Sequence, residues 1–205
     1  MDLMDIWLMF KLMWEHGMPA WDIVGLPDVS IKESKERVRT AIKNSGIEFP
    51  SRRIVVNLAP ADSRKEGPFF DLPIAIGILI ATNVICNTNI DNYVFVGELS
   101  LDGKINKVNG ILPMCIEAKR LGMKKIIIPE ENAREASVVN EIDILSANTL
   151  MDVVAHLNGV ECLNAIIPNT EELFNKERKY KFNFSDVRGQ ENIKRALEIS
   201  AAGRT

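Results

Sequence analysis

Few side chains in this 205-residue chain combine a reactive type with a spacing that supports chemistry. Glu66, Glu98 and Asp102 are carboxylates that could be proposed for acid/base work, which would need two of them to converge. Their spacing gives no support for that: Asp102 stands before Gly103 as a hairpin-turn dipeptide, and Glu98 fits a solvent-facing position. Cys86, Cys115 and Cys162 are odd in number, far apart and set among apolar residues, which predicts reduced core thiols. His16 and His156 have no second ligand near them in sequence, so no structural metal is expected. What remains is charge. Between Ile31 and Lys65 there are nine Lys/Arg against four acids, although the chain as a whole carries −3. Lys35, Arg39, Arg52 and Arg53 are therefore candidate contacts to DNA or to a neighbouring subunit, with a solvated helix face as the competing reading. Few aromatic residues lie between Trp21 and Phe69, which argues against base stacking.

The elements that must position these residues alternate. In DVSIKESKERVRTAIKNSG, Ile31, Val38, Ala41, Ile42 and Ser45 fall at helical spacing, Ser30 and Glu33 fit a capping box, and Gly46 ends the helix. RRIVVNLAP reads as a strand stopped by Pro60. The stretch KEGPFFDLPIAIGILIATN turns at Gly67 and Pro68 and then becomes a helix apolar on most sides, with Asp71 placed to cap it and Pro73 tolerated in its first turn. A hairpin follows around Asp102-Gly103, then helix, strand, helix, strand and a last helix over NTLMDVVAHLNG. The expected class is α/β, a mixed sheet with packed helices and one β-hairpin.

Four segments are expected. Residues 1–18 form an atypical Met/Leu/Trp-rich segment that reads as a short helix or an altered start, and residues 19–160 form the main domain. Residues 161–181 are a polar linker, and 182–205 open a second module. No stretch has the length and apolarity of a membrane span, and no signal peptide is evident, so a cytoplasmic protein is expected.

Long phrases carry a family resemblance: DIVGLPDVSIKESKERVRTAIKNSGIEFPSRRIVVNLAPADSRKEGPFFDLPIAIGIL, then VFVGELSLDGKINKVNGILPMCIEAKRLGMKKIIIPEEN. From about Pro19 to Thr205 the chain resembles the N-terminal region of the bacterial magnesium-chelatase-like AAA+ ATPases of the YifB and ComM type. The resemblance implies a Lon-protease-like domain of the ribosomal-protein-S5 domain 2 fold, followed by the entry to an AAA+ module. It further implies ATP and Mg2+ as cofactors of the full-length protein, none for this stretch alone, and partners in its own AAA+ module, in neighbouring subunits of a homo-hexamer and in DNA. Val187, Arg188 and Gly189 would lie against the adenine. No G-x-x-x-x-G-K-[ST] phosphate loop occurs in the 205 residues.

Lon-type proteases cut peptides with a serine activated by a lysine, and both partners are required. The resemblance puts Phe69 at the nucleophile and Leu112, Pro113 and Met114 at the base, so the dyad is degenerate. Ser63 and Lys65 are the nearest substitute pair in sequence. The expectation is a non-catalytic accessory domain of an ATPase that remodels DNA, as in branch migration during transformation; the alternative is a Lon-like serine peptidase or another stand-alone hydrolase.

Overall fold

The computed structural model describes residues 10–15, 20–58, 65–86, 90–168 and 186–203. The chain divides into two units, Met1–Asn169 and Thr170–Thr205.

In the first unit, strands β1 (Phe10–Glu15), β2 (Trp21–Val24) and β3 (Arg53–Leu58) make a mixed sheet in the order β1-β3-β2. β1 runs antiparallel and β2 parallel to β3, with Phe10 opposite Leu58 and Trp21 opposite Ile54. The expected N-terminal helix is therefore corrected over Phe10–Glu15: a β3 edge offers a row of unpaired N–H and C=O groups, and pairing with that row overrides local helix preference. Strands β4 (Tyr93–Phe95), β7 (Lys125–Pro129) and β8 (Asp143–Ala147) form a second, fully parallel sheet in the order β4-β7-β8. β5 (Glu98–Leu99) and β6 (Ile105–Asn106) form the expected hairpin. Its turn is closed by Asp102, which accepts from the Ser100 hydroxyl at 2.6 Å and the Lys104 N–H at 3.2 Å, while Gly103 supplies φ +87°. The Ser100 bond leads the contacts that hold the Asp102 carboxyl below the ordinary carboxylate range.

Helices α1 (Val29–Asn44) and α2 (Asp71–Ala81) pack together beside the mixed sheet. α1 buries Ile31, Ser34, Val38, Ala41 and Ile42 and exposes Lys32, Arg39 and Lys43. Its cap is Asp28 rather than the expected Ser30–Glu33 box: the Asp28 carboxylate accepts from the Ile31 N–H at 2.8 Å, and Ser30 already lies inside the helix. The second Asp28 oxygen takes the Gly67 N–H at 3.2 Å, so one side chain caps α1 and ties down the turn before α2. α2 buries Leu72, Ile74, Ala75, Ile76, Ile78 and Leu79 and forms the centre of the larger apolar cluster. A smaller cluster lies under α3 (Ile111–Arg120), with α4 (Ala133–Ala136) and β7 contributing Ala136, Ile126 and Ile128. Helix α5 (Leu150–Leu157) starts on a capping box between Thr149 and Asp152.

Gly25 is required by packing. A Cβ there would sit 2.0 Å from the Leu58 carbonyl oxygen, and the residue holds φ +101°. The following Leu26 also has positive φ, +56°, and is fixed by a bond from the Lys65 N–H to its carbonyl.

In the second unit, α6 (Glu191–Gly203) follows a turn at Gly189, φ +69°, and the Gln190 carbonyl accepts from the Ile193 and Lys194 N–H groups.

Candidate functional site

The turn before α2 is built from its own residues. Gly67, at φ +100°, leads into a single 3-10 turn, Pro68–Phe70, and a Cβ on Gly67 would meet the Phe69 ring at 2.9 Å. The Phe69 and Phe70 rings lie 4.2 Å apart, tilted by 41°. Phe70 is buried in the larger cluster, whereas half-buried Phe69 packs against both clusters. The cluster that receives Phe69 includes Met114, with Leu112 packed on it. The positions assigned by resemblance to a nucleophile and a base therefore belong to one apolar assembly, which has neither a hydroxyl nor an amine at those places.

Asp71 departs from its expected role. It is the first residue of α2, but no side-chain cap serves that helix; its carboxylate turns instead toward α1. Arg37 Nε donates to Oδ2 at 2.7 Å and the second Arg37 nitrogen to Oδ1 at 3.0 Å. The Ser34 hydroxyl also donates to Oδ1, and the Leu99 N–H reaches Oδ2 at 3.2 Å. Burial pushes the Asp71 carboxyl upward against the pull of these donors, while the bond to Asp71 leads the causes that push Arg37 upward. With both oxygens held by donors from α1 and β5, the ionised pair is the state that fits the geometry. An acidic residue just before an apolar run signals a cap in sequence. Only the third dimension brings Arg37 within reach.

The basic residues part company. Lys35 is half-buried and pairs with Asp22 on β2 at 3.2 Å. Arg39 is exposed and its guanidinium lies 5.8 Å from the centre of the Phe49 ring. Phe49 in turn lies 5.2 Å from Trp21, whose indole Nε1 is buried with no hydrogen-bond partner among the described residues. Arg52 and Arg53 are exposed at the start of β3. Arg52 also lines an open cleft of about 400 Å³ with Pro50, Ala81, Thr82 and Asn83. The sequence does not show that the one ring beside Pro50 packs on Trp21. The phrase EFPSRR held the only available signal.

The remaining candidates are occupied separately. Glu98 is half-buried rather than solvent-facing and accepts from the Asn106 amide at 3.3 Å, while Asp102 serves its turn. Lys65 is 2% exposed, with its backbone bonded to Leu26 and Asp28, and Ser63 lies outside the described residues. His156 Nδ1 accepts the Leu163 N–H at 3.1 Å, and burial followed by the Lys125 charge pushes its pKa down. Cys86 and Cys162 are exposed, which corrects the expectation of three core thiols; only Cys115 is buried, its thiol pushed up to about 12. Among the described residues no His, Cys, Asp or Glu group of three could hold a metal ion, and no helix is long and apolar enough to cross a membrane. In the second unit Val187, Arg188 and Gly189 are exposed in the turn preceding α6.

The family described as Subunit ChlI of Mg-chelatase matches residues 11–132. The chain is 42% identical over 190 residues to Competence protein ComM of Haemophilus influenzae, covering 92% of this chain and 37% of that protein. It is 43% identical over 187 residues to YifB of Escherichia coli K12, covering 91% of this chain and 36% of that one. Lon protease 2 of Bacillus subtilis is 33% identical over 125 residues, which are 60% of this chain and 22% of the protease. The chain thus spans little more than a third of ComM and YifB.

Proposed function

Because the chain belongs to the family of magnesium-chelatase subunit ChlI, we propose that it is the accessory N-terminal part of a longer ATPase of this kind and has no catalytic groups of its own. One observation carries the reading. Phe69, which the resemblance puts at the place of a Lon-type nucleophile, packs on the same cluster as Leu112 and Met114, which it puts at the place of the base. A phenyl ring cannot attack a carbonyl, and a thioether cannot take its proton.

In this reading residues 19–160 are a Lon-like domain, 161–181 a linker and 182–205 the start of the AAA+ module, and the preceding segment 1–18 adds the strand Phe10–Glu15 to the domain's sheet. Val187, Arg188 and Gly189 would flank an adenine. The chain does not fit a nucleotide by itself, since its sequence contains no phosphate loop whose N–H groups and lysine could hold the phosphates. ATP and Mg2+ belong to the longer protein, and no step through them is assigned to these residues. The longer protein acts in the cytoplasm as a homo-hexamer that remodels DNA, with Arg39, Arg52 and Arg53 facing DNA or the next subunit. Similarity to a protein named for competence supports that choice of substrate.

The test is to remove residues 1–160 from the full-length protein and to follow ATP hydrolysis and branch migration separately. Retained ATP hydrolysis with impaired branch migration is the expected pair of results. Full branch migration without the domain, or casein cleavage by the intact chain, would overturn the reading.

A further inference from the structure

We propose that the open cleft between the Phe49–Arg53 loop and the end of α2 holds one nucleotide unit of single-stranded nucleic acid, with the phosphate on Arg52 and the base edge on Asn83. The inference rests on the DNA reading above and names its ligand and site more closely.

The cleft has the shape and chemistry for one such unit. At about 400 Å³ it falls within the range of ~300–1,000 Å³ typical of small-molecule sites. Pro50 and Ala81 give apolar walls for a base. Arg52 brings a planar guanidinium suited to phosphate oxygens. Thr82 Oγ1 already donates to the Ile78 and Leu79 carbonyls, at 3.0 and 3.1 Å, and so faces a ligand as an acceptor. Asn83 is exposed and holds φ +58°, a conformation asparagine tolerates better than most side chains. Its carboxamide offers a donor and an acceptor on one group, the pair that reads a base edge bidentately.

Beside the cleft lies a ladder of flat groups. Phe49 lies 5.2 Å from Trp21, tilted by 39°, and the guanidinium of exposed Arg39 lies 5.8 Å from the centre of the Phe49 ring. A guanidinium held near an aromatic ring offers a face on which a neighbouring base can stack. Phe49 directly precedes Pro50, a lining residue of the cleft. Bases paired inside a duplex are unavailable to both features, so single strands are preferred.

The experiment measures fluorescence anisotropy of labelled single-stranded and duplex oligonucleotides with the full 205-residue chain over a salt series. Wild type is expected to prefer the single strand. Arg52→Gln should lower the magnitude of the salt slope by about 1. Asn83→Gly suits the positive φ and so preserves the fold, and it should weaken single-strand binding several-fold. Arg39→Ala should weaken it roughly tenfold through lost stacking. Thermal melting of each variant confirms that it is folded. Equal affinity of wild type and Asn83→Gly, an unchanged salt slope in Arg52→Gln, or equal affinity for duplex would each overturn the proposal. Such results leave the accessory-domain reading standing, because that reading falls only with the domain-removal experiment.

Discussion

Arg37 and Asp71 form a two-pronged ion pair between α1 and α2, at 2.7 and 3.0 Å, in which the carboxylate is fully buried and the guanidinium reaches partly to solvent. The pair, together with Ser34 and the Leu99 N–H, joins α1, the start of α2 and the hairpin at one point.

Removing Asp71 should therefore cost far more than removing a helix cap. A cap is worth about 1 kcal/mol, whereas one partner withdrawn from a buried pair costs about 3–5 kcal/mol because a desolvated charge is left behind. Urea unfolding of Asp71→Ala is expected to give the larger figure. Joining it to Arg37→Leu should give less than the sum of the two single losses. A loss near the cap value would show that the pair contributes little.

Acid should weaken the fold through His156. Its folded pKa lies below the ordinary 6.5 because burial and Lys125 disfavour the cation, and Nδ1 must stay unprotonated to accept from Leu163. A depressed folded value means that the unfolded chain takes the proton first. The stabilising contribution is thus complete above 6.5 and is lost as pH falls through the folded pKa. Melting temperatures of wild type and His156→Gln should converge at low pH. Parallel curves would remove His156 from the effect.

Thiol chemistry should separate the cysteines by burial. Cys86 and Cys162 are expected to react with a disulfide reagent in the native protein, and Cys115, raised to about 12, only after unfolding. Mass mapping of the labelled sites checks this directly. Native labelling of Cys115 at the rate of the others would contradict its burial on the inner face of α3.

Restoring a hydroxyl should restore no peptidase. Phe69→Ser lacks a base at Leu112, Pro113 or Met114, so a fluorogenic peptide should remain uncut. The loss of packing should lower stability, by less than the ~3–5 kcal/mol of a fully buried phenylalanine because Phe69 is only half-buried. Serine-dependent turnover in this variant would mean that another amine serves as base.

Gly25→Ala should destabilise by well over the ~1 kcal/mol usual for glycine replacements, since its Cβ would meet backbone at 2.0 Å. Backbone on both sides leaves no flexible side chain to move aside. A variant as stable as wild type would show that the β2 and β3 ends can separate freely.

What the sequence determined by itself was whatever depends on short-range pattern. The apolar run from Leu72 to Leu79 dictates a helix buried on most sides, Asp102-Gly103 dictates the hairpin turn, and Thr149 with Asp152 dictates the start of α5. The absence of a serine and a lysine at Phe69 and Leu112–Met114 is likewise written in residue types. Tertiary structure alone decided where side chains with more than one local use were directed. Asp71 gave up a cap for Arg37 because its carboxylate found donors distant in sequence, and Asp28, which caps α1 locally through Ile31, also reached the distant Gly67 N–H. Phe10–Glu15 became a strand because β3 offered an open edge, and Phe49 joined Trp21 and Arg39 because α1 and the sheet meet there. The division follows from range: caps and turns are settled within a few residues, whereas burial of a charge or stacking of a ring depends on which distant atoms share the same volume.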